Sequence, residues 1–567
     1  MIVKLHSWIK RAVLMPVLCW AALGQLVAGA VEKPVAIVSL AGYDAIISDL
    51  NFLGELSGTP QLAQSLEGIL ALVTRAQGLA GLDKAKPIGA CVSLPADGPP
   101  IPVPLVFIPV TDVDKLLDAL QGLVPQVEDL GDGYSRIRTP KGPPVILKRG
   151  TGWAFLSDSK EHLEGVPTDP AKLLGDLPKL YDVAVQLNIR NIPDQYLQLA
   201  LGGLQQGFDK GMQKKPDETE EAYQARKQIG EAYLKQITQL IDEINHITIG
   251  FAIDSQTRST YLDASVTVVE GGRLAAQFAT AKKLTKASKY SGFVDEDAVG
   301  NFHFHTPIMP DDVKMMISGL DVVRKEADKK IEEDKSLNDP NIKATVKQMV
   351  SDVFDVAEAT IEGGQFNGGA GMWGEGPFDI ALGGLIVDAK KLEKVFKQAV
   401  ATFGSAPDFP KVELDADKHG DVTFHTLTIP IVGDDDDAKK AKEVFGDEVN
   451  LAIGFGKWTV ILAVGEDPVE LAGEILDDSK EADDELPPAE LQVKLGPLMK
   501  LGAKTAEEKD KEQVETIAKL LEDAEDDHFN IISEFIPNGS RIRFELEEGV
   551  LEAFGKAVVL GMQKGGR

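Results

Sequence analysis

Two cysteines in 567 residues is a low count, and only one of them, Cys91, lies outside the N-terminal stretch. An internal disulfide therefore cannot hold a mature chain, and stability must come from packed cores, which a chain of this length can build. Cys91 sits in the apolar run IGACVSL (88–94), with no histidine close in sequence to activate it, so it reads as a buried, inert thiol. Positive charge is also short. Lys and Arg total 59 against 89 Asp and Glu, giving a net charge of −30. That balance argues against nucleic acid and anionic membrane surfaces, which attract basic patches, and it favours solubility and loose cation affinity. Beyond residue 30 no apolar run reaches the ~20 residues of a membrane-spanning helix.

The first 30 residues have the anatomy of a secretory leader. Lys4, Lys10 and Arg11 precede the apolar stretch 12–24, and Ala28-Gly29-Ala30 is a small-residue cleavage site. Cleavage would begin the mature chain at Val31 and remove three positive charges and no acids, leaving 56 − 89 = −33. The expected location is the periplasm or the exterior, with no integral membrane segment after cleavage. Cys19 is flanked by Leu18 and Trp20, too bulky for a lipid-attachment box.

What is present is order and recurrence. VPLVFIPV (103–110), TDVDKLLDAL (111–120) and GWAFLSD (152–158) have counterparts in FDIALGGLIV (378–387), DAKKLEKVF (388–396) and GKWTVILAVGED (456–467). Lys115-Leu116 answers to Lys391-Leu392, and Trp153 to Trp458; both tryptophans are expected as core anchors. Residues 246–281 and 528–558 also correspond: a His opens a strand, a polar turn and second strand follow, and a small-residue helix closes. We expect an α+β fold in two tandem copies, 31–285 and 286–567, each a strand–helix–strands–helix design with mainly antiparallel sheet and helices on one face. The segment 181–191 reads as a strand with alternating apolar positions Val183, Val185, Leu187 and Ile189. Helices are expected at 43–82 with Gly breaks, 193–208, 218–243, 272–284, 311–334, 342–362 and 505–524, with a helix start at 159–164. The acidic stretches 433–443 and 477–488 read as exposed loops because their like charges repel.

The chemical motifs are few. Gly369, Gly371 and Gly374 spell G-x-G-x-x-G, but a helix precedes and a strand follows, the reverse of a dinucleotide fingerprint; a Gly-rich turn or bulged strand fits better. His303 and His305 share one face of a strand and form a metal-edge candidate. His419 and His425 lie in a second strand-like segment, and if the two segments paired, four histidines would meet. Asp415-Ala-Asp417-Lys-His419-Gly420 begins like a calcium loop, but His419 stands where an oxygen belongs and Thr426 where the bidentate Glu should be. Loose cation binding there or at 434–437 competes with a solvated turn. No nucleophile elbow, zinc-protease helix, P-loop or paired C-x-x-C occurs. No catalytic residue and no cofactor is assigned.

The stretch 49–92, with its FLGELSG helix entry and GLDKAKPIG turn, followed by PLVFIPVTDVDKLLDAL (104–120), resembles a group of exported bacterial proteins without an assigned activity. The resemblance implies export and carries no site residues. Taken together, the sequence points to an exported, acidic, non-enzymatic binding or structural protein whose partner is a protein or an apolar ligand. The alternative is an exported hydrolase, metal-dependent through His303 and His305.

Overall fold

The computed structural model describes residues 33–565, apart from 122–125, 139–142, 217, 219, 285–289, 407–408, 434, 482–485, 506–507, 523 and 525. The leader expected at 1–30 and Asp434 lie outside the described residues. The fold is α+β with extensive antiparallel sheet. None of the described helices is long and apolar enough to cross a membrane. The chain forms two compact units, one of Met1–Gln205, Ile241–Val269 and Glu545–Arg567, the other of Gln206–Leu240 and Glu270–Phe544.

The first unit holds β1 (Ala36–Leu40), β2 (Ile88–Ser93), β3 (Val103–Pro109), β4 (Val127–Gly131), β5 (Tyr134–Ile137), β6 (Val145–Arg149), β7 (Trp153–Ser157), β8 (Val183–Asn188), β9 (Ile244–Asp254) and β10 (Ser259–Val268). Antiparallel pairing gives the order β4-β5-β6-β7-β3-β2-β1-β8-β9-β10. One sheet face carries Ile37, Cys91, Phe107, Trp153 and Phe155, sealed by Leu163, Leu174 and Leu177 from short helical turns. Trp153 meets Phe107 edge-on, ring centres 5.8 Å apart, and is a core anchor as expected. Cys91 is buried there, and burial pushes its thiol up to about 12, which keeps it inert.

The opposite face is also covered, but only at one end. Helix Val113–Ala119 starts on Asp112, whose carboxylate accepts the Asp114 and Lys115 N–H groups, and it buries Leu116 against Ile137, Leu147 and Ala154. Helical cover therefore lies on both faces of this sheet, where the sequence suggested one. The reason is the short β3–helix–β4 connection, which turns the chain over the other side.

The second unit holds β11 (Gly300–Pro307), β12 (Gln365–Trp373), β13 (Asp379–Leu385), β14 (Lys411–His419), β15 (Val422–Pro430), β16 (Glu448–Phe455), β17 (Thr459–Val464), β18 (Ala489–Lys494), β19 (His528–Ile536) and β20 (Gly539–Leu546). Its order is β14-β15-β16-β17-β13-β12-β11-β18-β19-β20. Tyr290, Phe293, Phe424, Ile461 and Ile475 form its core beneath helix Pro468–Glu481. Helix Ala389–Phe403 lies against the other face, where Phe396 packs on Phe455.

Several local expectations change. Trp458 is 46% exposed rather than a core anchor. In the second unit Ile386 N–H bonds Trp458 O, as Val110 N–H bonds Gly152 O in the first, so Trp458 occupies the Gly152 position and Thr459 the Trp153 position. A one-residue slip sends a strand side chain to the other face. The acidic stretch 433–443 contains helix Asp436–Phe445, because the Asp435 carboxylate caps it at Ala438 N–H. Helix Pro468–Glu481 likewise runs into the stretch 477–488 expected as loop. The helix start at 159–164 is a single 3-10 turn, Glu161–Leu163. Gly369 and Gly371 lie within β12, as a Gly-rich strand rather than a phosphate loop. A Cβ on Gly371 would lie 2.2 Å from the Trp373 ring, and one on Gly369 2.6 Å from Phe293, so close packing requires both glycines.

Candidate functional site

The four histidines do not converge. His303 and His305 are on β11, His419 and His425 on β14 and β15, and β16, β17, β13 and β12 stand between β15 and β11. Five strand steps of about 4.8 Å separate the two strands by about 24 Å. Both β11 histidines are buried and share one face. Nε2 of His303 is 3.1 Å from the Pro487 carbonyl. Burial lowers the pKa of both, with the Pro487 bond opposing this at His303. His419 is on the surface, its Nε2 3.0 Å from Asp477. Within the calcium-like segment, Asp415 pairs with Lys397 at 2.7 Å and β14 runs through 411–419 as strand, so a calcium loop is not formed.

Among the described residues, Glu393, Asp415 and His425 form one grouping tight enough for a metal, with ligand atoms within 4.8 Å of one another. Its chemistry speaks against a metal. The Asp415 N–H donates to His425 Nδ1 at 2.8 Å, so the neutral ring carries its hydrogen on Nε2, 3.5 Å from Glu393 Oε1. A ring in that tautomer has no lone pair to give on the side facing the carboxylates. The Lys397 ammonium already lies 2.9 Å from Glu393 and 2.7 Å from Asp415, and Lys390 sits 2.9 Å from Glu393. Burial works against ionising Glu393, but Lys397 and Lys390 overcome it and hold its pKa below the usual range; Lys397 does the same for Asp415. Burial and then Lys397 lower His425, which packs between Phe396 and Phe455. The grouping is an ion-pair network that fixes helix Ala389–Phe403 to the β14–β15 hairpin.

A carboxyl cluster in the first unit went unread in the sequence. Burial raises Asp49, on helix Tyr43–Leu56, to about 7, assisted by Asp182 and Asp254. Asp182 meanwhile accepts the Ile253 N–H at 2.8 Å. These residues come from three distant segments, and local spacing gives no signal of their meeting.

The most extensive feature is apolar. On β8 the small residue Ala184 points into the core, while Val183, Val185 and Leu187 point out. The alternating apolar residues of this strand therefore form its open face. Pairing places Leu40, Val183, Phe251 and Leu262 in one row across β1, β8, β9 and β10, and Val38, Val185, Ile249 and Ala264 in the next. Val185 is 46% and Ile249 53% exposed. This is the continuation of the face that helix Val113–Ala119 covers farther along the sheet. Asp182 and Asp254 flank the first row at the strand ends. The second unit has an apolar row of its own across β16, β17, β13, β12, β11 and β18: Ile453, Leu462, Leu382, Ala370, Phe302 and Leu491, with Leu382 51% exposed. Contiguous exposed apolar surface of this kind marks an interaction site.

No family model matches the chain, and neither a curated protein nor a solved structure matches it.

Proposed function

We propose that the protein is an exported, non-enzymatic binding protein whose open sheet faces take an apolar ligand. The row Val183–Phe251–Leu262 and its neighbour carry the reading, because side chains from successive strands form an aliphatic surface, with Val183 40%, Val185 46%, Ile249 53%, Phe251 37% and Leu262 43% exposed. At ~25 cal/mol per Å², covering even 200 Å² of such surface favours binding by about 5 kcal/mol before association costs. The acidic chain and the carboxyls beside the first row disfavour an anionic headgroup, so the preferred ligand is an aliphatic chain with a neutral or cationic end. Native and denatured intact masses of the purified chain, with organic extraction, test this. Extractable apolar ligand in stoichiometric amount is the expected result, and no ligand taken up from lipid vesicles or detergent-solubilised acyl chains would contradict it.

We further infer that the two units are tandem copies of one design. In support, the strand order of the second is that of the first with ten added to each number, and Asp112 and Asp388 precede equivalent helices. The leader and the lone mature cysteine support export, in keeping with the resemblance to exported bacterial proteins.

A second reading, hydrolysis, is favoured by one observation: Asp49 titrates near neutrality beside a second carboxyl, the state a general acid needs. Turnover of ester or glycoside substrates, abolished in Asp49→Asn with the fold intact, would support it; silence across such substrates rejects it.

A further inference from the structure

We propose that His425 is a proton-operated latch that holds helix Ala389–Phe403 over the second unit's apolar sheet face, and that protonating His425 releases the C-terminal half of the helix. His425 pairs with Ile453 across β15 and β16, so it shares a face with the apolar row that runs on through Leu462 and Leu382. Helix Ala389–Phe403 roofs this end of the row, with the Phe396 ring centre 5.3 Å from that of His425 and 6.0 Å from that of Phe455. His425 is fully buried beneath it. Glu413 pairs with Thr426 and Asp417 with Phe424, so three residues of β14 face His425 alone. Asp415, the middle one, has φ 56°, a left-handed conformation that a residue with a side chain keeps only when its surroundings hold it. The hold is the bond from the Asp415 N–H to His425 Nδ1 at 2.8 Å.

Protonation breaks that hold. Nε2 already carries a hydrogen, so the added proton goes to Nδ1 and sets its N–H against the Asp415 N–H, donor against donor at hydrogen-bond distance. No new bond forms at Nε2, 3.5 Å from Glu393, because Lys390 and Lys397 already hold that carboxylate. The charged groups facing the ring are Glu393 and Lys397 from the helix and Asp415 from β14, with Lys390 beside Glu393 and Lys418 near Asp415. From β16 the ring meets uncharged Phe455 and its pair partner Ile453. Lys390 and Lys397 balance Glu393 and Asp415, so a charge on the ring is unmatched. Letting Asp415 leave the bulge relieves it, and Lys397, which ties the helix to Asp415 at 2.7 Å, goes too. The N-terminal end of the helix stays anchored. Lys391 pairs with Asp352 at 3.1 Å and Asp355 at 2.7 Å on helix Pro340–Glu362, and Lys390 donates to Phe455 O at 2.7 Å. The helix therefore swings from that end, lifting Phe396 off Phe455 and lengthening the apolar row. Burial and then Lys397 lower the pKa of His425, so opening belongs below the ordinary histidine value of about 6.5. Its consequence for binding rests on the apolar-ligand function proposed above; the latch itself does not.

The test is hydrogen exchange of the full chain, read by mass spectrometry at about pH 5 and pH 7.5 and corrected for the intrinsic pH dependence of exchange. In the wild type we expect 396–403 and β14 to exchange at least tenfold faster at the lower pH, and helices Pro340–Glu362 and Val113–Ala119 to be unchanged. Those two helices are a reference within the same molecule, so the wild type alone tests the latch if a variant does not fold. His425→Gln, which cannot take the proton, should exchange equally at both pH values. His419→Gln, at the surface of the same hairpin, should behave as wild type. A neutral aliphatic fluorescent probe titrated at both pH values reads the consequence. Stronger probe binding in acid, lost in His425→Gln, supports gating of the apolar face. Acid-enhanced exchange with no probe bound at either pH supports the latch and rejects the ligand reading. Protection of 396–403 that is the same at both pH values, that falls equally across the second unit, or that still falls in folded His425→Gln overturns the latch.

Discussion

At the scale of single residues, burial and charge set how stability changes with pH. Asp49 has its pKa raised to about 7 by burial and by Asp182, above an ordinary carboxyl value. Its contribution to stability is complete at acid pH and is lost as pH rises through about 7. His425 is lowered, by burial first, so the unfolded chain takes its proton more readily and stability falls as pH drops below the ordinary histidine value of about 6.5. Above about pH 6.5 only the Asp49 contribution changes, so the two groups predict stability that falls as pH rises from about 6.5 through 7, while below about 6.5 they act in opposite directions. Asp49→Asn should stabilise the protein at pH 8 by about 1 kcal/mol after discounting for solvent screening, and by nothing at pH 4. Denaturant unfolding at both pH values checks this, and an equal effect at both would remove the ionisation argument. His425→Gln should lower the melting temperature at pH 7.5 yet flatten its slope between pH 6.5 and 5; an unchanged slope would exclude His425 as a source of acid sensitivity. Cys91, buried and pushed up to about 12, was legible from its apolar run. The Asp49 cluster was not, because it is assembled from a helix and two strand ends.

At the scale of elements, periodicity identified strands and helices well and their surroundings poorly. The repeat of Val183, Val185 and Leu187 correctly marks a strand, yet period two cannot say which face another layer will cover. The small residues Ala184 and Ala252 occupy the packed side, where Tyr181 and Phe107 fill the space. Trp458 was misplaced for the same reason: one residue of register decides between core and solvent, and a Gly-Trp match ignores register. The acidic stretch 433–443 was mistaken for loop because charge repulsion was weighed without the Asp435 cap and the apolar Ala438 face. Packing of β12 gives a sharp prediction. Gly371→Ala must displace the Trp373 ring and should cost about 1–3 kcal/mol, as overpacked sites do. Gly68→Ala, where nothing lies within 4 Å of the added carbon, should be neutral or stabilising. Equal unfolding free energies for these two variants would refute the close packing at Trp373.

At the scale of the molecule, the two units share a strand order, and each leaves part of one sheet face apolar and open. Such surface is unfavourable in water and prone to association unless something covers it, so its presence in both units argues for a shared use. The high negative charge opposes self-association through like-charge repulsion while the faces remain available. The most direct test is fluorescence titration of the full chain with a neutral aliphatic probe, comparing wild type with Val185→Asp/Ile249→Asp. These positions point outward, so the double variant should keep its circular dichroism spectrum and melting temperature. The account predicts saturable binding in the wild type and at least tenfold weaker binding at the first unit's face in the variant. Saturable binding of equal strength and stoichiometry in both proteins, or none in the wild type, would contradict it.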